Sequence, residues 1–251
     1  MPLNGHVTLE IAVETLDDAM AAIRGGADRL ELGSALELGG LTPGFGILSS
    51  IQAETTLPIM AMVRPRPGGC HYSDRDFAVM LKDRDFLIHN GARGLVFGFL
   101  DRDGHIQISQ LETFLKGIPD GIQTVFHRAF DFVENPFEAL QILVDHRVSR
   151  ILTSGLKPAI TNGFETIRQL IDFAQGRIEI LGGGGIRLEN VREVVELTGL
   201  SQIHASCRAT AQDRSPRLRP EIRFGLPEMP PETLHRRTDA SLVACMRAAL
   251  I

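Results

Sequence analysis

The sequence predicts an α/β protein, a (β/α)8 barrel built by the whole 251-residue chain as one domain. Two observations carry that expectation. Eight short apolar runs alternate with segments of helical spacing, and parallel strands need long crossovers, so this alternation means a parallel sheet. Eight is also the number of strands that closes into a barrel, at a length that barrels use as one domain. Several runs carry a charged residue in mid-strand, which suits a polar lumen better than the nearly continuous apolar strands of a doubly wound open sheet, the competing fold.

The strands are expected at 7–13 (VTLEIAV), 29–34 (RLELGS), 58–64 (PIMAMVR), 94–100 (GLVFGFL), 124–130 (TVFHRAF), 150–155 (RILTSG), 177–182 (RIEILG) and 202–207 (QIHASC). Helices are expected at 15–24, with Asp17 and Asp18 at the start and Leu16, Met20 and Ile23 on one face, and at 74–90, between Ser73 as N-cap and Gly91. Four more fall at 136–146, where Pro136 suits a first turn, 163–175, 188–198 and 239–250. Residues 214–237 break the rhythm with arginines and five prolines. They read as a surface excursion before the last helix, or as a lid or subunit contact at the barrel mouth.

Bulk properties exclude some partners. Net charge is −5, so neither nucleic acid nor an anionic membrane is favoured. No apolar run reaches the length needed to span a bilayer, and the N-terminal residues lack the pattern of a signal peptide. Cys70, Cys207 and Cys245 are odd in number and far apart, which argues against a disulfide framework. A cytoplasmic location is the expectation.

Strand alternation selects the residues that could do chemistry. It turns Glu10, Glu31, Arg64, His127 and His204 toward the lumen, with Arg66 at the rim. His127 is then the acid/base candidate, Glu10 or Glu31 could orient it, and Arg64 could clamp a carboxylate or phosphate. A purely structural alternative has Arg64 bridging Glu10 and Glu31. Asp131, just past His127 and Arg128, is placed to reach the same rim. Four consecutive glycines, Gly182 to Gly185, end the seventh strand. Ile178, Ile180 and Gly182 share one face of it, so bulk vanishes from that face toward the mouth. The glycines would let the backbone approach a ligand, and loops after strands seven and eight often hold phosphate in barrels. With Ser206 and Arg66 they make a candidate anion site. For metal, neither Cys-x-x-Cys nor a helical His-x-x-x-His occurs; Cys70 and Cys207 are weak candidates.

The stretches GGADRLELGSALELGGLTPG (25–44), MVRPRPGGCHYSDRD (62–76), GLVFGFLDRDGHI (94–106), TVFHRAFD (124–131), RILTSG (150–155), GRIEILGGGGI (176–186) and IHASCR (203–208) resemble, in order and over almost the whole chain, the CutC family. The family is described as copper homeostasis proteins with a TIM-barrel fold. The resemblance implies a cytosolic homo-oligomer, copper as the associated metal, and functional positions at Glu10, Glu31, Arg64, Arg66, His127, Arg128, Asp131 and His204. Family members commonly carry cysteine where this chain has Gly33 and Ala205, so the thiols best suited to copper are missing here. Three readings follow: a copper-handling protein, a barrel enzyme acting on a small anionic or phosphorylated substrate, and a scaffold whose lumen is a satisfied ion-pair network.

Overall fold

A computed structural model describes residues 5–225 and 229–251; the remaining three residues of the excursion, 226–228, lie outside it. Eight parallel strands close in chain order into a barrel: β1 (Thr8–Val13), β2 (Arg29–Leu32), β3 (Ile59–Met62), β4 (Gly94–Phe97), β5 (Gln123–Phe126), β6 (Arg150–Thr153), β7 (Glu179–Gly182) and β8 (Gln202–Ala205), which pairs back onto β1. The helices are α1 (Leu16–Arg24), α2 (Phe45–Glu54), α3 (Asp74–His89), α4 (Ile108–Leu115), α5 (Pro136–Asp145), α6 (Phe164–Ala174), α7 (Val191–Thr198) and α8 (Ala240–Ala249). The (β/α)8 barrel expected from the sequence is the fold observed.

Local signals explain most of the elements. Thr15 and Asp18 cap α1 reciprocally, the Thr15 hydroxyl accepting from the Asp18 amide at 3.1 Å and Asp18 Oδ2 from the Thr15 amide at 3.2 Å. Ser73 caps α3, and Asn135 with Pro136 starts α5. α2 and α4, where the sequence announced no helix, start at Gly44 and Gln107, neither of which makes a side-chain cap. Several strands are shorter at their C-terminal ends than the apolar runs suggested. Arg64, residues 98–100, His127 and Ser206 lie beyond the last paired residue, where side chains can serve the mouth instead of the sheet.

Alternation divides the sheet into an outer and an inner core. Leu9, Ile11 and Val13 of β1 are fully buried against the helix layer, each stabilising the fold by roughly 1.5–3 kcal/mol. Inside the barrel, Met60, Met62, Val96, Val125, Leu152 and Leu181 form a separate apolar cluster. At the N-terminal end of the lumen the first residues of five strands form a polar floor. Arg29 donates to Glu10 at 2.5 Å and to Gln202 at 2.8 Å, while Arg150 donates to Glu179 at 2.8 Å and to Gln123 at 3.1 Å.

The excursion is not irregular throughout. β9 (Arg208–Gln212) and β10 (Leu234–Thr238) pair as an antiparallel hairpin, β10 beginning after the last proline, Pro231. The hairpin is anchored to the barrel: Arg208 pairs with Glu14 and with Glu37, and the Thr238 amide donates to Asp18 Oδ1 at 2.6 Å.

Candidate active site at the barrel mouth

A cavity of about 1240 Å³ opens at the C-terminal ends of the strands. At its base the β1–β8 register sets Glu10 opposite His204, and the β1–β2 register sets Ala12 opposite Glu31. His204 Nδ1 donates to Glu10 Oε1 at 2.8 Å and stands 3.9 Å from Glu31 Oε2. Burial pushes the Glu10 carboxyl up, but the His204 hydrogen bond and the charge of Arg29 outweigh it and hold Glu10 at about 2. Burial dominates at Glu31; the His204 charge lowers it and Glu10 raises it again, and the result is about 7. Burial works against the charged form of His204, yet Glu31 and Glu10 together raise it above the usual imidazole value. Glu31 is 4% exposed and its Oε2 has no hydrogen-bond partner among the described residues.

The arrangement differs from the sequence expectation in its wiring. Glu10 orients His204, not His127, and Arg29 takes the place expected for Arg64 as the guanidinium on Glu10. Arg29 stands two residues before Glu31, so the same alternation that turned Glu31 inward could have found it. Arg64 lines the cavity, but donates to the backbone carbonyls of Leu38, Gly40 and Gly68 at 2.7–3.0 Å instead of bridging the two glutamates. Arg66 does not reach the cavity wall; Asp76 and the carbonyls of Pro67, Gly69 and His71 use its donors.

His127 leaves β5 and caps the short 3-10 turn Arg128–Phe132, its Nδ1 accepting the Ala129 amide at 3.0 Å. An accepting Nδ1 puts the ring proton on Nε2, and that atom is buried with no partner among the described residues. Burial, then the charge of Arg64, lowers His127 to about 3, so the ring is neutral at physiological pH.

Asp131 is occupied in positioning. It accepts from Thr153 Oγ1, from the Ser154 amide and hydroxyl, from the Leu156 amide, and from Arg128 Nε at 2.7 Å. Its role at the rim is to hold Arg128, which also donates to Ser154 Oγ at 2.8 Å and lies across Gly184 in the cavity wall.

Each of the four glycines is required, for two different reasons. A Cβ on Gly182 would meet Leu200 Cδ1 at 2.3 Å, and one on Gly183 would meet Leu152 Cδ1 at 2.6 Å. Gly182 therefore faces the helix layer, as do Ile178 and Ile180 in the outer core, so the face that loses bulk is not the luminal one; Gly183 is the luminal glycine. Gly184 and Gly185 have φ of +97° and +80°, the left-handed region. Among the described residues, the amides of Gly184, Gly185 and Ile186 after β7, and of Ser206 and Cys207 after β8, find no acceptor. All five residues line the cavity.

The donors that come together are hard ones. Glu10, Glu31 and His204 offer ligand atoms within 4.8 Å of one another, but Glu10 already spends both oxygens on Arg29 and His204. Among the described residues no cysteine joins a group of three or more such side chains. Cys70 is buried, its thiol raised by burial, and Cys207, pushed to about 12 by burial and Asp239, donates to Met246 Sδ at 3.7 Å. Oxygen and imidazole donors wired to an arginine do not fit Cu(I), which prefers thiolates and thioethers.

With this geometry in hand, comparison with known proteins fixes the family. The family model described as "CutC family" matches residues 7–209. The chain belongs to the CutC family. A CutC protein of Treponema denticola is 43% identical over 90% of this chain and 92% of its own. The human protein named copper homeostasis protein cutC homolog is 41% identical over 82% of this chain and 75% of its own. A CutC crystal structure from Streptococcus agalactiae superposes with a TM-score of 0.75 at 30% identity, covering 79% of this chain and 97% of that one.

Proposed function

We propose that this CutC family member is a cytoplasmic barrel enzyme acting on a small anionic substrate, with a phosphate group as the anchoring anion. The observation that carries the reading is the set of unpaired amides at Gly184, Gly185, Ile186, Ser206 and Cys207, in the same cavity wall as Arg128. Backbone donors left without acceptors beside a guanidinium favour an anion, and the left-handed φ at 184 and 185 is one that glycine adopts without strain. Below that wall Glu31, poised near 7, can both take and return a proton at physiological pH, with His204, whose charged form the two glutamates favour, beside it. A self-satisfied ion-pair network would not leave Glu31 Oε2 and His127 Nε2 without partners.

Calorimetry with inorganic phosphate tests the reading. Binding is expected at low salt, weakened at least about tenfold, or ~1.4 kcal/mol, in Arg128→Gln and in Gly184→Ala. Phosphate binding that is absent, or indifferent to both substitutions, removes the proposal. The name of the human relative supports a role in copper homeostasis, which we place in the cell's handling of copper, not in chelation within the lumen. Titration with Cu(I) against a competing chelator is expected to give no site tighter than micromolar; a tighter site lost in Cys207→Ser would favour direct binding. Leu218, Ile222 and Phe224, exposed on the excursion, support a homo-oligomer with the excursion as a contact, to be checked by sedimentation.

A further inference from the structure

Two buried polar atoms, without partners among the described residues, belong to two residues of the cavity wall on different strands. One is an acceptor, Glu31 Oε2 at the end of β2; the other is a donor, the Nε2–H of His127 just past β5. Both residues line the same cavity as Arg128 and the amides of the loops after β7 and β8 that find no acceptor among the described residues. An unsatisfied buried donor or acceptor destabilises the fold, so a site that keeps one of each is built for a ligand that satisfies both. That ligand must present an oxygen to His127 and a hydrogen to Glu31, with its anion anchored at the rim.

Other chemistries fit the same atoms less well. Acyl transfer needs a nucleophile activated by a base, but Cys207 donates its proton to Met246 Sδ and Ser206 has no hydrogen bond to either histidine. Hydrolysis by an acid–base pair of carboxylates would call on Glu10, which is locked on Arg29 and His204. A carboxylate facing a neutral imidazole donor suits proton abstraction from carbon next to a carbonyl, because the neutral ring can polarise the carbonyl oxygen without a charged proton to lose.

We propose that the mouth catalyses aldose–ketose interconversion of a short α-hydroxy carbonyl compound bearing a terminal phosphate. This rests on the anion-binding reading above. The Glu31 carboxylate removes the proton from C2, the C–H electron pair forms the C1–C2 double bond, and the carbonyl π pair moves to O1, which accepts from His127 Nε2–H. The O2 proton passes to O1, Glu31 returns its proton to C1, and the C2 carbonyl re-forms. One hydrogen has moved from C2 to C1 and one from O2 to O1; nothing is oxidised or lost overall, and no co-reactant is needed. The ring of His204, 3.9 Å from Glu31 and favoured in its charged form by the two glutamates, offsets the negative charge of the enediolate.

The experiment incubates the protein in D2O with D-glyceraldehyde 3-phosphate, D-ribose 5-phosphate and D-glucose 6-phosphate separately, and reads deuterium at C2 by proton NMR. Exchange at least about 100-fold above buffer is expected with one or more of the three, falling at least about 100-fold in Glu31→Gln and at least about tenfold in His127→Gln. The wild-type rate is expected to rise with pH through a midpoint near 7, a readout that needs no variant. No exchange with all three probes, or exchange undiminished in a folded Glu31→Gln, overturns the inference. Phosphate bound without exchange leaves the anion-binding reading standing; phosphate unbound removes both.

Discussion

Glu31 couples the chemistry of the mouth to the stability of the barrel. Its folded value of about 7 lies above the ordinary 4.5 because burial disfavours the charged form. A raised carboxyl binds its proton more tightly in the native state, so its contribution to stability is present below about 4.5 and is lost as pH rises through 7. Glu31→Gln removes that loss. The melting temperature of Glu31→Gln relative to wild type is therefore expected to climb between pH 5 and pH 8, and thermal melts at the two values check it. The glycine run gives a second residue-scale prediction. Gly183→Ala puts a Cβ 2.6 Å from Leu152 Cδ1 and 3.3 Å from His204 Cβ, so urea denaturation should show a loss of roughly 1–3 kcal/mol from overpacking. Gly185→Ala has room, with Ala159 Cβ at 3.6 Å, and should lose only about 1 kcal/mol through its φ of +80°. These residues also mark how far a sequence can be read. Alternation brought Glu10, Glu31 and His204 to one place, because it depends only on strand parity. It could not assign Arg64 to the carbonyls of Leu38, Gly40 and Gly68, since those are placed by loops that no period describes.

At the scale of elements, what the sequence disclosed follows what each element uses for its own stability. α1, α3 and α5 are started by side-chain caps and were legible; α6 and α7 lack such caps and were legible through their helical apolar spacing alone. α2 and α4 begin without them and are held by burial of Leu48 and Ile51, and of Leu111 and Phe114, against the barrel. The hairpin β9–β10 depended on a partner that a local reading could not supply, Asp18 of α1. One carboxylate there serves two elements: Oδ2 accepts from the Thr15 amide at the start of α1, and Oδ1 accepts from the Thr238 amide at the end of β10. Asp18→Ala removes the cap box and leaves the buried Thr238 amide unpaired, each worth about 1–2 kcal/mol. The expected loss is about 2–4 kcal/mol in urea denaturation. Limited proteolysis should show faster cleavage within residues 213–233, because the excursion loses one of its anchors to the barrel. If the hairpin were held by Arg208 alone, cleavage would not change.

The barrel as a whole depends on a seam that joins its two ends. Glu10 and His204 are 194 residues apart, yet they meet where β8 pairs back onto β1, and Arg29 bridges across β1 from Glu10 to Gln202 of β8. The polar floor therefore closes the cylinder and orients His204 at the same time. Arg29→Met keeps the volume of the side chain but leaves the Glu10 carboxylate, 1% exposed, with His204 as its remaining close ion-pair partner among the described residues. Removing one member of a buried pair costs about 3–5 kcal/mol near neutral pH. The pH dependence has a definite sign. With Arg29 present Glu10 sits at about 2, so its stabilising contribution is present above 4.5 and is lost as pH falls toward 2. Without Arg29 only His204 still opposes burial, so Glu10 takes up its proton at higher pH than in the wild type, and the poorly compensated charge disappears. The deficit of Arg29→Met measured by urea denaturation should thus be largest at pH 7 and smaller at pH 4. Adding Glu10→Gln to Arg29→Met should recover about half or more of the deficit at pH 7, because no charge is then left alone. The double variant should still lose the proposed exchange with the sugar phosphates, since the carboxylate that holds His204 is gone. Stability restored together with full activity would mean that the seam closes the barrel without serving the mouth.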